Sequence, residues 1–71
     1  MTPAQMRLLD AIRRECRAAG EARSLFKLAV VLEGLDYSWA YHNLGVLEER
    51  GMVHVERVNP LIIRLPEESH V

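Results

Sequence analysis

The stretch Tyr37-Ser38-Trp39-Ala40-Tyr41-His42-Asn43 carries the densest chemistry of the 71-residue chain. Phenol, hydroxyl, indole, imidazole and amide groups follow one another there, and such groups hydrogen-bond and stack. Elsewhere the reactive types are scattered. His42, His54 and His70 lack metal-ligand spacing, and Cys16 is the single cysteine. Gly20, Gly34, Gly45 and Gly51 form no phosphate-cradling loop. The carboxylate pairs Glu48-Glu49 and Glu67-Glu68 are sequence neighbours, which reads as solvated charge rather than as an acid and a base flanking a substrate. No catalysis, metal or cofactor is expected. The pattern is one of recognition.

Composition bounds the scaffold that must hold these residues. A chain of this length makes one small domain, and a hydrophobic content of 49% is ample for one core. With one cysteine no internal disulfide can form, which fits a reducing compartment. The longest apolar run, Leu28 to Leu32, is far short of the about 20 residues that cross a bilayer. Met1-Thr2-Pro3-Ala4-Gln5 lacks the basic flank and apolar stretch of a signal peptide. A cytoplasmic protein without membrane contact is expected.

The net charge of −1 hides an uneven distribution. Residues 1–27 carry six basic groups against three acidic ones, residues 28–50 one against four, and the remainder two against three. Eight of the nine basic residues are arginine, a type suited to phosphate contact.

Three helices and a hairpin are predicted. Thr2 as N-cap, Pro3 in the first turn and Gly20 as terminator bound a helix from about Pro3 to Ala19. Met6, Leu9, Ile12 and Cys16 form its expected buried stripe, with Cys16 read as a small core residue and its arginines on the wet side. Ser24 is the expected N-cap of a second helix, from Leu25 to about Glu33. Its Phe26, Val30 and Val31 are apolar beyond what one core face needs. After the turn Gly34-Leu35-Asp36, a third helix runs from Tyr37 to about Arg50, with Ala40, Leu44 and Leu47 inward and Gly51 left-handed at its end. The period then changes to two. Val53 and Val55 make one strand, Val58-Asn59-Pro60 a break, and Ile63 and Leu65 a second strand.

Helix, helix, short turn, helix, glycine and hairpin is the order of a winged helix-turn-helix. The residues Leu28-Ala29, Leu32, Leu35, Ala40, Leu44 and Leu47-Glu48-Glu49-Arg50-Gly51-Met52-Val53 resemble that family's pattern. Ala40 would let two helices cross closely, and Gly51 would turn the chain into the first wing strand. The opening Met1-Thr2-Pro3-Ala4-Gln5 and the late Ile63-Arg64-Leu65 are similar to the DNA-binding domain of LexA-type repressors. The core pattern equally resembles MarR-like and small archaeal or phage regulators. The expected fold is therefore α+β: a three-helix winged helix-turn-helix over residues 1–66 with a C-terminal two-stranded β-hairpin wing, then a polar tail over 67–71.

The resemblance implies sequence-specific binding of double-stranded DNA by a small transcriptional regulator, such as a repressor. The third helix would enter the major groove and the wing would lie on the backbone or minor groove. Tyr37, Ser38, Trp39, Tyr41 and His42 would then face the groove, with Ser38 and His42 suited to base edges. Arg57, Asn59 and Arg64 would be wing contacts, and Ser24 and Lys27 would hold phosphate at the start of the second helix. Plainer readings stand beside these: Trp39 plugging the gap between the third helix and the wing, His42, Arg57 and Arg64 simply solvated, and the first-helix arginines solvated or paired with Asp10 and Glu15. A homodimer is expected, held by Phe26, Val30 and Val31 together with Leu8 and Ala11 of the first helix, or by the first helix alone where the second lies near the DNA. The front of the third helix has no Arg or Lys, and the tip Val58-Asn59-Pro60-Leu61-Ile62 is apolar. Both features suit the alternative, a winged helix that binds a protein partner through its tip or second helix without touching DNA.

Overall fold

The chain begins with a capping box. The Thr2 hydroxyl accepts from the Gln5 backbone N–H at 3.1 Å, and Gln5 Oε1 accepts from the Thr2 N–H at 3.0 Å. In a computed structural model of the chain, whose described residues are 1–24 and 37–66, this box starts helix α1, Pro3–Ala19. Gly20, at φ 83°, ends it. Strand β1 is Ala22–Arg23, helix α2 is Tyr37–Glu49, and strands β2 and β3 are His54–Glu56 and Ile62–Arg64. Among the described residues the architecture is thus α+β, two helices with a three-stranded antiparallel sheet. None of these helices is long and apolar enough to cross a membrane. The predicted second helix, its Lys27, Phe26, Val30 and Val31, the turn at Gly34 to Asp36 and the tail over 67–71 all lie outside the described residues.

The sheet contains the expected hairpin and extends it. Its order is β1-β3-β2, so the hairpin gains a third strand from the segment just after α1. Ala22 pairs with Ile63, and Val55 pairs with Ile63 from the other side. All three side chains are buried and face the helices. The predicted hairpin strands and the break at Val58-Asn59-Pro60 are present, with the Asn59–Pro60 peptide cis.

The buried stripe of α1 is also turned from its expected position. Leu8, Leu9, Ala11, Ile12 and Cys16 are buried, whereas Met6 is 45% exposed. Gln5, partly buried, reaches inward with its amide: its Nε2 donates to Asn43 Oδ1 at 2.6 Å. Leu8 and Ala11 belong to the core and have no surface to offer a second copy, contrary to the expected dimer contact.

Ala40, Leu44 and Leu47 of α2 point inward as the spacing predicts, joined by Asn43, which is 6% exposed. Asn43 Nδ2 donates to the Trp39 carbonyl at 2.9 Å, so the buried amide is paired on both sides. Arg50 donates to Val46 O at 3.1 Å, the last helical bond, and Gly51, at φ 75°, and Met52 donate back to Glu48 O and Leu47 O, so the helix ends within a residue of its expected limit. Cys16 is a core residue. Its thiol donates to the Ile63 carbonyl at 3.6 Å, and burial pushes its pKa up.

This packing separates two neighbouring α1 substitutions. Leu8→Ala opens a cavity in the core and is expected to cost about 2–5 kcal/mol. Met6→Ala should stay within about 0.5 kcal/mol. Urea titration of both variants checks it, and equal losses would return Met6 to the buried stripe.

Candidate nucleic-acid interface

With Ala40, Asn43, Leu44 and Leu47 inward, helical geometry turns Tyr37, Ser38, Tyr41 and His42 outward. Tyr37 and Tyr41, one turn apart, stack with centroids 6.1 Å apart and planes 29° apart. Together with Gly45 and Arg57, the four outward residues line an open depression of roughly 560 Å³. A second depression of roughly 350 Å³ adjoins it and shares Tyr37 and Tyr41. Its other walls are Ser24 and the wing tip, Val58 to Leu61. One groove therefore runs between α2 and the wing. It gathers seven of the ten predicted contact residues: Ser24, Tyr37, Ser38, Tyr41, His42, Arg57 and Asn59.

Three predicted residues stand elsewhere. Lys27 lies outside the described residues. Trp39 is half-buried and packs against the core beside Asn43, not into the groove. Arg64 is in the central strand, on the outward face of the sheet. It is paired with Glu21 at 2.9 Å and with Glu56, which lies diagonally across on β2. The wing contact expected of Arg64 is replaced by a cross-sheet clamp.

Ser24 reaches the groove in an unexpected backbone state. Its φ is 66°, and its N–H donates to the Leu61 carbonyl at 3.1 Å, extending the β1–β3 pairing. That N–H is already engaged, so the phosphate contact expected from it is not offered; the hydroxyl remains to do so.

The electrostatics of the groove are close to balanced. Arg57 bridges to Glu48 at 2.6 Å and lies 6.0 Å from the Tyr41 ring centroid, at the outer range of a cation–π contact. On the sheet's outer face Glu21 takes both Arg23 and Arg64. The Arg23 hydrogen bond, with the charges of Arg23 and Arg64, holds the Glu21 carboxyl below its ordinary pKa, against a smaller opposing push from desolvation. On α1, Arg13 is 4.0 Å from Asp10, as anticipated, while Arg7, Arg14 and Arg17 are exposed.

Two residues of this region escaped sequence reasoning. Glu21 was legible only as one more acidic charge, because its partner Arg64 is 43 positions away. Gly45 had a signal, a glycine in a helix interior, which costs about 0.5–1 kcal/mol relative to alanine. No family model, curated protein or solved structure matches the chain. Among the described residues, no group of three His, Cys, Asp or Glu is placed to hold a metal ion.

The Glu21 cluster predicts an acid-limb effect of definite sign. A carboxylate with a lowered folded pKa stabilises fully above its unfolded pKa, about 4.3 for glutamate, and that contribution is lost as pH falls through the lowered value. Wild type should therefore exceed Glu21→Gln in stability near neutral pH, with the gap closing as the solution is acidified. Denaturant titrations across a pH series read it. A gap that widens toward acid would contradict the pairing.

Proposed function

We propose that the chain is a three-helix winged helix-turn-helix domain that binds double-stranded DNA sequence-specifically, as a small transcriptional regulator. The observation that carries this reading is the gathering of seven predicted contact residues along one groove between α2 and the wing. The element order α1, β1, α2, β2, β3 supports it, since α2 stands directly before the hairpin. In this reading α2 is the third helix and lies in the major groove. Ser38 and His42 hydrogen-bond to base edges, and the Tyr37–Tyr41 pair packs on sugar or donates to phosphate. Arg57 and Asn59 meet the backbone from the wing. Arg57 exchanges Glu48 for a phosphate, an inexpensive step because an exposed ion pair contributes only about 0–1 kcal/mol. Two copies would occupy half-sites about one helical turn apart.

A protein-binding module is the second reading, favoured by the wing tip. Val58 is 52% exposed there, beside Asn59 and Pro60, and the arginines on either side, Arg57 and Arg64, are paired with carboxylates. Leu61 packs partly against the core, so Val58 is the cleaner probe of that tip.

The two readings part on salt dependence. DNA binding releases counterions with a slope near −0.9 in log affinity against log salt for each phosphate neutralised. With Arg23 and Arg64 engaged by Glu21, a shallow slope of about −1 to −2 per chain is expected. Arg57→Gln should flatten it by about one unit. Arg64→Gln should leave the slope unchanged and lower stability instead. A chain that ignores random duplex at low salt, yet captures a protein lost on Val58→Asp, would replace the DNA reading with the second one.

A further inference from the structure

Gly45 is a helical glycine that the fold does not require. Of the described glycines, Gly20 and Gly51 have positive φ, whereas Gly45 is in ordinary helical backbone. A Cβ built at Gly45 meets no atom within 4 Å, so packing does not demand bare backbone either. The position is not on the core side. It stands one turn after Tyr41 and one turn before Glu48 and Glu49, and it lines both the Tyr41–Arg57 depression and an adjoining one walled by Glu48 and Glu49. Arg57 passes along this same stripe, from the Tyr41 ring to Glu48, and still keeps clear of the missing side chain. Arg57 is therefore not what the glycine makes room for.

A glycine that weakens its helix, needs no special φ and, among the described residues, has open space where its Cβ would stand is explained by something that arrives from outside. Resting on the reading of this face as a DNA-binding surface, we propose that Gly45 is a clearance position. The duplex comes closer to the α2 backbone there than any side chain permits, and Gly45 sets the depth at which Tyr41, His42 and Arg57 engage. A helix that carries a base-contacting side chain at His42 and a backbone-contacting one at Tyr41 must be held at one distance from the groove floor, and a bare turn between those residues and Glu48 fixes that distance.

This assignment makes stability and affinity move in opposite directions. Alanine strengthens a helix interior relative to glycine, and the site has space for its methyl group. Gly45→Ala should therefore melt a few degrees higher than wild type. On a duplex that the wild-type chain itself selects from a random pool, it should bind about tenfold more weakly, the size of one lost contact. Gly45→Leu should bind more weakly still. A Gly45→Ala chain that melts higher and binds like wild type would overturn the clearance role and leave the DNA reading standing. A lower melting point would overturn it too, because the fold itself would then need the glycine. A wild-type chain that enriches no duplex at all overturns both together, which separates the two failures.

Discussion

Strand β3 is the constraint on which the rest of the molecule depends. Only three residues long, it pairs with β1 on one side and β2 on the other, so neither outer strand has another partner in the sheet. Ile63 at its centre is fully buried, and its carbonyl accepts the Cys16 thiol of α1. Arg64 clamps the opposite face between Glu21 and Glu56. Because β1 is fixed, Ser24 is fixed through its bond to Leu61. Because β2 is fixed, Arg57 and the wing tip are delivered beside Tyr41. The second wall of the groove, α2, is seated by Leu44 and Leu47 in the core and by the polar chain that runs from Thr2 through Gln5 to Asn43. That chain favours this setting of the helix, since it pairs the Asn43 amide where Asn43 is buried.

Charge is distributed so that the groove, if it binds DNA as proposed, would recognise by shape and hydrogen bonding more than by attraction. The outward face of the sheet is an alternation of Arg23, Glu21, Arg64 and Glu56, neutral as a set. The one arginine in the groove is held by Glu48. A surface of this kind has little long-range pull on any polyanion, and in the proposed reading its selectivity would rest on whether Ser38, His42 and the tyrosine pair find their partners. The exposed arginines of α1 lie off its buried stripe and contribute to the field of the whole molecule rather than to this face.

Much of the scaffold was legible in the sequence because its signals are local. Thr2 with Pro3, Gly20, the 40-44-47 spacing and Gly51 each act within a turn or two, and the structure follows them. The alternation of Val53 and Val55 with His54 and Glu56 likewise marked β2. What escaped was what local pattern cannot carry. The Gln5 amide finds its partner 38 positions away, a contact no local pattern carries, and the apolar Met6 beside it is left exposed. β1 has two residues, too few for any alternation, and exists because β3 offers it an edge. The outward residues of α2 were legible from the helical period, except that Trp39 borders the inward face closely enough for a large ring to find the core. Arg57 and Arg64 looked alike as wing arginines. Their neighbours, at sequence distances of 9 and 43, made one a groove residue and the other a sheet clamp.

In the proposed function, the groove between α2 and the wing is the surface that meets duplex DNA. Backbone amide shifts of the isotopically labelled chain, followed by NMR while a selected duplex is titrated in, test it most directly. The account predicts that Tyr37 to Gly45, Arg57 to Asn59 and Ser24 move together, while His54 and Arg64 on the outer sheet face hold still. Shifts that gather instead on the arginine face of α1 or on the outer face of the sheet would contradict it.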